Sequence, residues 1–213
     1  MSNAVIHGDC VGLMGEMPGA CVDLILTDPP YLVNYRSRTG RTVINDDNDR
    51  WLAPAFEQTY RVLKPDSFCI SFYGWNHADR FIGAWRQAGF HIAGHFVFRK
   101  RYASSIRHVR RQHEQAYLLA KGKPRSSAHP ISDVIDWRYN GNRLHPTEKP
   151  VDALTPLIGA FCKPSGLVLD PFCGSGSPLV AAHSLGRRYM GFELDPSHHR
   201  TASDRVRRLD LAA

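Results

Sequence analysis

The segment at residues 24–31, Leu-Ile-Leu-Thr-Asp-Pro-Pro-Tyr, constrains the fold most strongly because an apolar run ends there abruptly. The run before the acid predicts a buried β-strand. Each proline fixes its own φ at about −65°, removes an N–H donor and pushes the preceding residue into an extended conformation. The segment can therefore neither continue the sheet nor begin a helix. We predict a stiff arch at the carboxyl end of a strand, where open α/β sheets bind ligands.

This arch has the groups needed to hold a planar base with an exocyclic amine. The Asp28 carboxylate and the Pro29 carbonyl are acceptors that match the two N–H bonds of an NH₂ group, and the Tyr31 ring can stack on the base. A strand-ending turn with a surface acid is the plain alternative. The candidate catalytic residues are Asp28, Pro29, Pro30 and Tyr31.

A second motif lies at residues 168–177, where a predicted strand is followed by a glycine turn and the start of a helix. Gly174 and Gly176 would let a ligand approach the backbone closely. Glu193 ends the next predicted strand, where a carboxylate can bind ribose hydroxyls. No Lys-Ser or Lys-Thr pair follows the glycines, and Leu179 stands where a dinucleotide motif has its third glycine. The pattern therefore indicates a nucleoside-type cofactor.

Composition predicts one soluble domain for the 213 residues, with 43% hydrophobic and 22% charged residues. No apolar run reaches the length of a membrane span and the N-terminus has no signal-peptide pattern, so we expect a cytoplasmic protein. The five cysteines include no C-x-x-C pair, which predicts reduced core or loop thiols and no metal site. Catalytic or metal-binding roles for these cysteines are the minor alternatives.

The net charge of +7 is concentrated in one segment. Between Arg99 and Arg125 there are nine basic residues and one acid, so this segment carries +8 and the rest of the chain −1. A solvated face is the alternative, but such concentration favours a polyanion partner, namely a nucleic acid.

Strands alternate largely with helices along the chain. This predicts an α/β fold, a single domain over residues 1–213 with a doubly wound, mostly parallel, seven-stranded sheet and one antiparallel hairpin. The hairpin is expected around residues 99–114. Residues 121–142 are expected to form a poorly structured insertion. Residues 32–50 are expected to form a mobile flap over the site. The predicted strands are residues 4–7, 22–27, 68–73, 91–98, 115–120, 167–170 and 189–193.

Taken together, the motifs carry a family resemblance. With Ile-His-Gly-Asp-Cys at residues 6–10 and His-Pro-Thr-Glu-Lys-Pro at residues 145–150, the chain resembles the S-adenosylmethionine-dependent DNA amino-methyltransferases. These enzymes methylate adenine N6 or cytosine N4, and the order here is that of the permuted class in which D-P-P-Y precedes the cofactor turn. The resemblance covers nearly the whole chain. It departs in size, because only residues 122–143 are available for a target-recognition insertion, within a basic and recognition region at residues 99–143.

The resemblance implies S-adenosylmethionine as cofactor and DNA as partner, with the target base flipped out of the duplex. Glu193 would bind the ribose, Asp9 the adenine or amino-acid end, and Thr147 and Lys149 the carboxylate region. The full cofactor set is Asp9, Cys10, Thr147, Lys149, Asp170, Phe172, Gly174, Gly176 and Glu193. The candidate DNA contacts are Arg36, Arg101, Tyr102, Arg107, Arg110 and Arg111.

Three functional alternatives stay open at this point. An acid at the head of the catalytic motif, where many cytosine enzymes carry serine, favours adenine over cytosine N4. A catalytically silent nucleic-acid-binding relative would keep the same fold. A nicotinamide oxidoreductase is disfavoured by the missing third glycine. A homodimer and a cognate restriction nuclease both remain open as partners.

Overall fold

The fold is a mixed α/β domain, seen in a computed structural model that describes residues 3–36, 42–106, 108–138 and 148–211. Its strands are β1 (Ala4–His7), β2 (Val22–Thr27), β3 (Leu63–Phe72), β4 (His91–Lys100), β5 (Ser105–Ile106), β6 (Arg110–Arg111), β7 (His113–Lys121), β8 (Val134–Trp137), β9 (Leu167–Asp170) and β10 (Arg188–Glu193). Its helices are α1 (Cys10–Gly15), α2 (Leu52–Val62), α3 (Ala78–Ala88), α4 (Val151–Phe161), α5 (Ser177–Ser184) and α6 (Pro196–Asp210). Among these described helices, none is both long and apolar enough to cross a membrane.

Eight of the strands form one sheet in the order β1-β10-β9-β2-β3-β7-β4-β8. Strand β7 runs antiparallel to both β3 and β4, and the other neighbours in this sheet pair in parallel. The predicted mostly parallel α/β sheet is therefore confirmed, and so is the antiparallel hairpin, which β4 and β7 form. All seven predicted strands are present. Strands β5 and β6 pair with each other as a separate small ribbon between β4 and β7.

The sheet has one strand more than the predicted seven, so that count is wrong. Residues 121–142 were expected to be poorly structured, but β8 lies within them and pairs in parallel with β4 at the edge of the sheet. The four residues of β8 include two β-branched side chains and Trp137, which is buried edge-to-face against Phe98 at 6.1 Å between ring centroids. These residue types suit a pleated, half-buried surface. The strand is too short to stand out among its polar neighbours.

The two central strands are covered on both faces. Every residue of β2 and of β9 is buried. Because successive side chains of a strand point to opposite faces, Ile25 packs in one apolar cluster with α1, α2 and α3, whereas Leu24 and Leu26 pack in a second cluster with α4, α5 and α6. Full burial of such a side chain contributes about 1.5–3 kcal/mol. This core fixes the edge at which β2 and β9 end.

Candidate active site

The two sequence motifs meet at one edge of the sheet. Strands β2 and β9 are parallel neighbours, with Leu24 opposite Val168 and Ile25 opposite Leu169, so the segments that follow them leave the sheet side by side. The Thr27 hydroxyl links them by donating a 2.8 Å hydrogen bond to the Asp170 carboxylate. One cavity is lined by all four residues of the arch at residues 28–31 and by most of the glycine turn.

The arch is held by contacts on several sides. The Tyr31 hydroxyl donates a 2.8 Å hydrogen bond to Asp28 Oδ1, which closes the arch on itself. Gly74, just after β3, packs so tightly against it that a Cβ there would lie 2.5 Å from the Tyr31 carbonyl oxygen. Leu32 and Asn34 then turn the chain with φ values of +63° and +52°, which L-residues rarely adopt. Sequence reasoning missed Gly74, although a glycine directly after a buried strand was a signal for close backbone approach.

Lys149 is the second partner of Asp28. Its ammonium forms an ion pair with Asp28 Oδ2 at 2.5 Å and lies 5.3 Å from the Tyr31 ring centroid and 5.0 Å from that of Phe72. The Lys149 side chain is only 7% exposed, so this ion pair is largely removed from water. The structure thus places Lys149 against the arch. Its predicted contact with the cofactor carboxylate stays a prediction.

Burial and neighbouring charges set the protonation of the arch. Desolvation raises the pKa of Asp28, and the Glu114 charge adds to this, whereas Lys149 and the Tyr31 hydrogen bond act in the opposite direction. Burial and the adjacent Asp28 raise the pKa of Tyr31 well above its usual value. Tyr31 therefore keeps its proton as a donor, and Lys149 is the charge that favours the ionised form of Asp28.

The glycine turn between β9 and α5 is fixed to the end of β10. Glu193 accepts hydrogen bonds from the Gly174 N–H at its Oε2 and from the Asp195 N–H at its Oε1, both at 2.8 Å. Gly174 and Gly176 have φ values of +52° and +79°, which glycine adopts without strain. Each carboxylate oxygen of Glu193 has a lone pair left for a ligand.

Gly174 lines the cavity, but Gly176 does not. A Cβ at Gly176 would lie 3.2 Å from the Ala202 Cβ of α6. Gly176 therefore lets α6 pack against the turn, and its predicted contact with the cofactor stays a prediction.

Asp170 connects the end of β2 to the start of the glycine turn. It is 1% exposed and accepts hydrogen bonds from the Thr27 hydroxyl and, at 3.1 Å, from the Phe172 N–H. Burial, together with the charges of Asp28 and Glu193, raises the pKa of Asp170 to about 7. The Phe172 ring lines the cavity and meets Trp51 edge-to-face at 5.0 Å. These rings give the cavity an apolar wall.

Asp9 and Cys10, at the start of α1, also line the cavity. Asp9 is the N-cap of that helix, since its carboxylate accepts a 3.1 Å hydrogen bond from the Gly12 N–H. Burial and the neighbouring Asp9 raise the pKa of the Cys10 thiol to about 12. Cys10 is therefore a protonated wall residue and not a nucleophile.

The cavity is acidic in a chain with a net positive charge. Seven carboxylates line it, and among its described lining residues Lys149 is the one lysine or arginine. The carboxylates belong to Asp9, Asp28, Asp46, Glu148, Asp170, Glu193 and Asp195. Such a lining favours a ligand that carries positive charge.

A second ion pair connects the segment before α4 to the glycine turn. Glu148 pairs with Arg205 of α6 at 3.1 Å, and Arg205 donates to the Ser175 carbonyl at 3.2 Å and the Ser177 hydroxyl at 3.1 Å. Two adjacent residues therefore stabilise the two motifs. Lys149 contacts the arch directly, and Glu148 contacts the glycine turn through Arg205. Sequence reasoning missed Arg205, because nothing in an exposed-looking helix marks one arginine among several.

The loop expected to form a flap lies against the cavity. Residues 42–46 line it, and so do Val33 and Tyr35. Asp46 is buried and accepts a 2.6 Å hydrogen bond from the Tyr35 N–H, while the Trp51 indole donates to the carbonyls of Asn45 and Asn48 at 2.9 Å. The position agrees with the expectation, and the mobility of the flap stays a prediction.

Part of the basic segment is already neutralised or used within the fold. Lys100 is buried in an ion pair with Glu114, Arg99 pairs with Asp136 at 2.8 Å, and the Lys121 ammonium caps α2 by donating to two backbone carbonyls at 2.6 Å. These cations contribute less to an external field than the sequence suggests.

The predicted DNA contacts differ in their surroundings. Tyr102 is half-buried with the Lys100 ammonium 5.8 Å from its ring. Exposed side chains are those of Arg36, Arg101, Arg110 and Arg111. Two predicted site residues, Arg107 and Thr147, lie outside the described residues. The same holds for the first part of the motif at residues 145–150, which contains Thr147.

Comparison with known proteins identifies the family. A sequence model of the DNA methylases that act on N6 or N4 amines matches residues 22–204. The chain belongs to this N6/N4 DNA methylase family. YubD of Escherichia coli (strain K12), which is named as a methylase, is 55% identical over 201 residues, 94% of this chain and 88% of YubD. The family assignment confirms S-adenosylmethionine as the cofactor.

Two solved structures share the fold. The M1.HpyAVI complex with S-adenosylmethionine has a TM-score of 0.77 at 20% identity, covering 97% of this chain and 99% of that one. The PvuII DNA methyltransferase, which is cytosine-N4-specific, has a TM-score of 0.76 at 19% identity, covering 96% and 86%. At this identity the likeness concerns the fold, which does not separate adenine from cytosine.

Proposed function

We propose that this DNA methylase transfers the methyl group of S-adenosylmethionine to the N6 amine of adenine in DNA, with the target base flipped out of the duplex. The observation that carries the proposal is the Asp28 carboxylate, which Tyr31 and Lys149 hold in the lining of the cavity shared with the glycine turn. An acid at this position suits an NH₂ group, because it accepts an N–H without needing a proton of its own. The choice of adenine N6 over cytosine N4 is based on an acid standing where many cytosine enzymes carry serine.

The lining residues fit the cofactor in their chemistry. Its sulfonium and ammonium groups are cations, and the cavity is lined by carboxylates. Its ribose hydroxyls need an acceptor, for which Glu193 has free lone pairs beside an apolar wall formed by Phe172 and Trp51. Asp9 keeps one carboxylate oxygen beyond its helix cap for the adenine or amino-acid end. Lys149 and Thr147 are proposed for the carboxylate end.

S-adenosylmethionine supplies a methyl group on a positively charged sulfur, which is already a strong electrophile. The protein therefore has to place the amine nitrogen in line with the S–CH₃ bond and help its lone pair to localise. Asp28 and the Pro29 carbonyl accept the two amine hydrogens, which makes the nitrogen more tetrahedral. With the cofactor bound, the methyl group would pass to the nitrogen and the S–C electron pair would stay on sulfur, and the methylated amine would then release one proton to solvent.

Tyr31 has two tasks in this proposal. Its hydroxyl orients Asp28, and the Lys149 ammonium lies against its ring, so a flipped base would stack on the remaining ring surface. One such stack contributes about 1–3 kcal/mol. This offsets the few kcal/mol needed to unstack and unpair a base.

One experiment separates the candidate activities. The protein is incubated with DNA and S-adenosylmethionine labelled in its methyl group, and the DNA is digested to nucleosides. Label on deoxyadenosine supports the proposal, and label on deoxycytidine replaces it with N4 methylation, the activity in the PvuII enzyme's name. Absence of label, with cofactor and DNA binding intact, would instead identify a silent nucleic-acid-binding relative.

The length of residues 122–143 bears on selectivity. Part of this region is now assigned to strand β8, whose Asp136 neutralises Arg99. We therefore propose that DNA contacts come mainly from the exposed arginines of the basic segment, and that the recognition sequence is short. Methylation of a DNA library followed by mapping of the modified sites measures its length.

A further inference from the structure

The side chain of Trp75 is unusual in its exposure. It is 57% exposed, whereas the other three tryptophans of the chain, Trp51, Trp85 and Trp137, are at most 8% exposed. Large aromatic side chains are normally buried, and a single exposed one next to a functional site indicates contact with a partner.

Trp75 stands next to the catalytic arch. It follows Gly74, the residue packed against the Tyr31 carbonyl, and it begins a short 3₁₀ turn at the carboxyl edge of the sheet. This is the edge at which β2 delivers Asp28. The indole is therefore one residue away from the backbone that holds the proposed catalytic groups.

Arg111 connects this indole to the basic segment. Its guanidinium carbon lies 4.8 Å from the Trp75 ring centroid, a cation–π distance. Arg111 belongs to the ribbon β5–β6, which also exposes Arg110. The guanidinium thus lies over one face of the indole and leaves the other face for a partner, and it brings Trp75 next to the segment where the chain concentrates its positive charge.

We infer that Trp75 and Arg111 form a stacking platform for a nucleobase of the substrate strand beside the flipped target. Aromatic rings and arginine planes are the groups on which unpaired bases stack, and the positive charge favours DNA over a protein partner at this surface. The inference rests on the proposed function and assigns it a second base-binding surface. Because a base that flanks the target in the same strand loses a stacking partner when the target leaves, a platform at this point would stabilise the opened duplex.

The exposure pattern allows a direct test by fluorescence. Acrylamide quenches exposed tryptophans, so in this protein the quenchable signal should come mainly from Trp75 and should be largely lost in Trp75→Phe. Adding duplex DNA that contains adenine should protect the wild-type protein from quenching, before any methyl transfer occurs. Quenching that DNA leaves unchanged while DNA binding is complete would overturn the inference.

Kinetics give the second readout. Trp75→Ala should raise the KM for DNA roughly 5- to 150-fold, the range of one base–aromatic stack, while cofactor affinity stays unchanged. Trp75→Phe, which keeps a ring, should recover most of the loss. Arg111→Ala should weaken DNA binding more than Arg86→Ala, which removes the same charge from an exposed position in the last turn of α3. Equal effects of the two arginine variants would reduce the platform to general charge and contradict the inference.

Other outcomes are also decisive. If quenching falls as the protein concentration rises without DNA, Trp75 is covered by a second copy of the chain and the inference is wrong. If the wild-type protein transfers no methyl group but DNA still protects Trp75, the proposed activity fails and the platform stands. The two proposals can therefore fail separately.

Discussion

The edge of the sheet that carries the two motifs and the ribbon β5–β6 differ in how far their polar groups are already engaged. At the edge, Asp28 has two partners, Glu193 accepts two backbone N–H groups and Asp170 accepts two further hydrogen bonds. In the ribbon, the polar side chain of Arg110 is exposed, and so is the apolar side chain of Ile106, at 68%. The first region is preorganised for chemistry before any ligand arrives, and the second presents groups that suit a partner from outside.

The largest effect is expected from Asp28→Ala, which removes the proposed acceptor for the amine. Turnover should fall by at least about 100-fold, the cost of losing one preorganised group in a transition state, while cofactor binding stays measurable by calorimetry. The variant also leaves the buried Lys149 without its partner, so its fold must be checked. Asp28→Ala combined with Lys149→Met removes both charges and controls for this. Near-normal methylation by either variant would refute the role of Asp28.

A large loss of stability is expected from Arg205→Ala. Glu148 is 5% exposed, and removing one partner of a buried ion pair costs roughly 3–5 kcal/mol of unfolding free energy. Urea denaturation measures this loss, and saturating cofactor should recover part of it by mass action, because the glycine turn belongs to the cavity. Arg207→Ala is the matched control, since its pair with Asp204 is exposed and 3.7 Å long and is worth about 0–1 kcal/mol. Similar losses in both variants would contradict the bracing role of Arg205.

A shift in the pH profile is expected from Lys149→Ala. Burial and Glu114 raise the pKa of Asp28 and Lys149 lowers it, so removing Lys149 raises this pKa further; Tyr31 and Asp170 also face the carboxylate. Because the proposed mechanism needs ionised Asp28, activity should be lost at a higher pH than in the wild type as the pH falls, and recovered at alkaline pH. The measurement is kcat against pH.

Lys149→Arg is the control for this shift, because it keeps the positive charge and should keep the profile near that of the wild type. A uniform loss of kcat at every pH in Lys149→Ala would assign Lys149 a purely structural role. A change confined to the KM for S-adenosylmethionine would instead support the contact with the cofactor carboxylate that the sequence predicts.

The contrast between the two regions also explains what the sequence could predict. The ends of β2 and β9 follow from local chemistry, since apolar runs, prolines and glycines act on their own neighbours, and parallel strands bring their carboxyl ends to one edge. Pairings between distant residues, such as Lys149 with Asp28 and Glu148 with Arg205, depend on packing that no local pattern encodes. Strand β8 was missed for a related reason, because its four residues suit a strand but are too few to stand out without their pairing with β4 at the sheet edge.

The smallest effect on DNA binding is expected from replacing single arginines of the basic segment. These variants test whether an arginine must be exposed and unpaired to contact DNA, or whether its charge alone is enough. Arg110 is exposed without a described carboxylate partner, whereas Arg99 is paired with Asp136 at 2.8 Å. If Arg110 meets a backbone phosphate, Arg110→Ala should reduce the slope of log K for DNA against log salt concentration by about 0.9. Arg99→Ala should change the slope less, because its charge is already balanced within the fold. Titrations of fluorescently labelled duplex at several salt concentrations measure both slopes, and equal changes would mean that the ion pair with Asp136 opens when DNA binds.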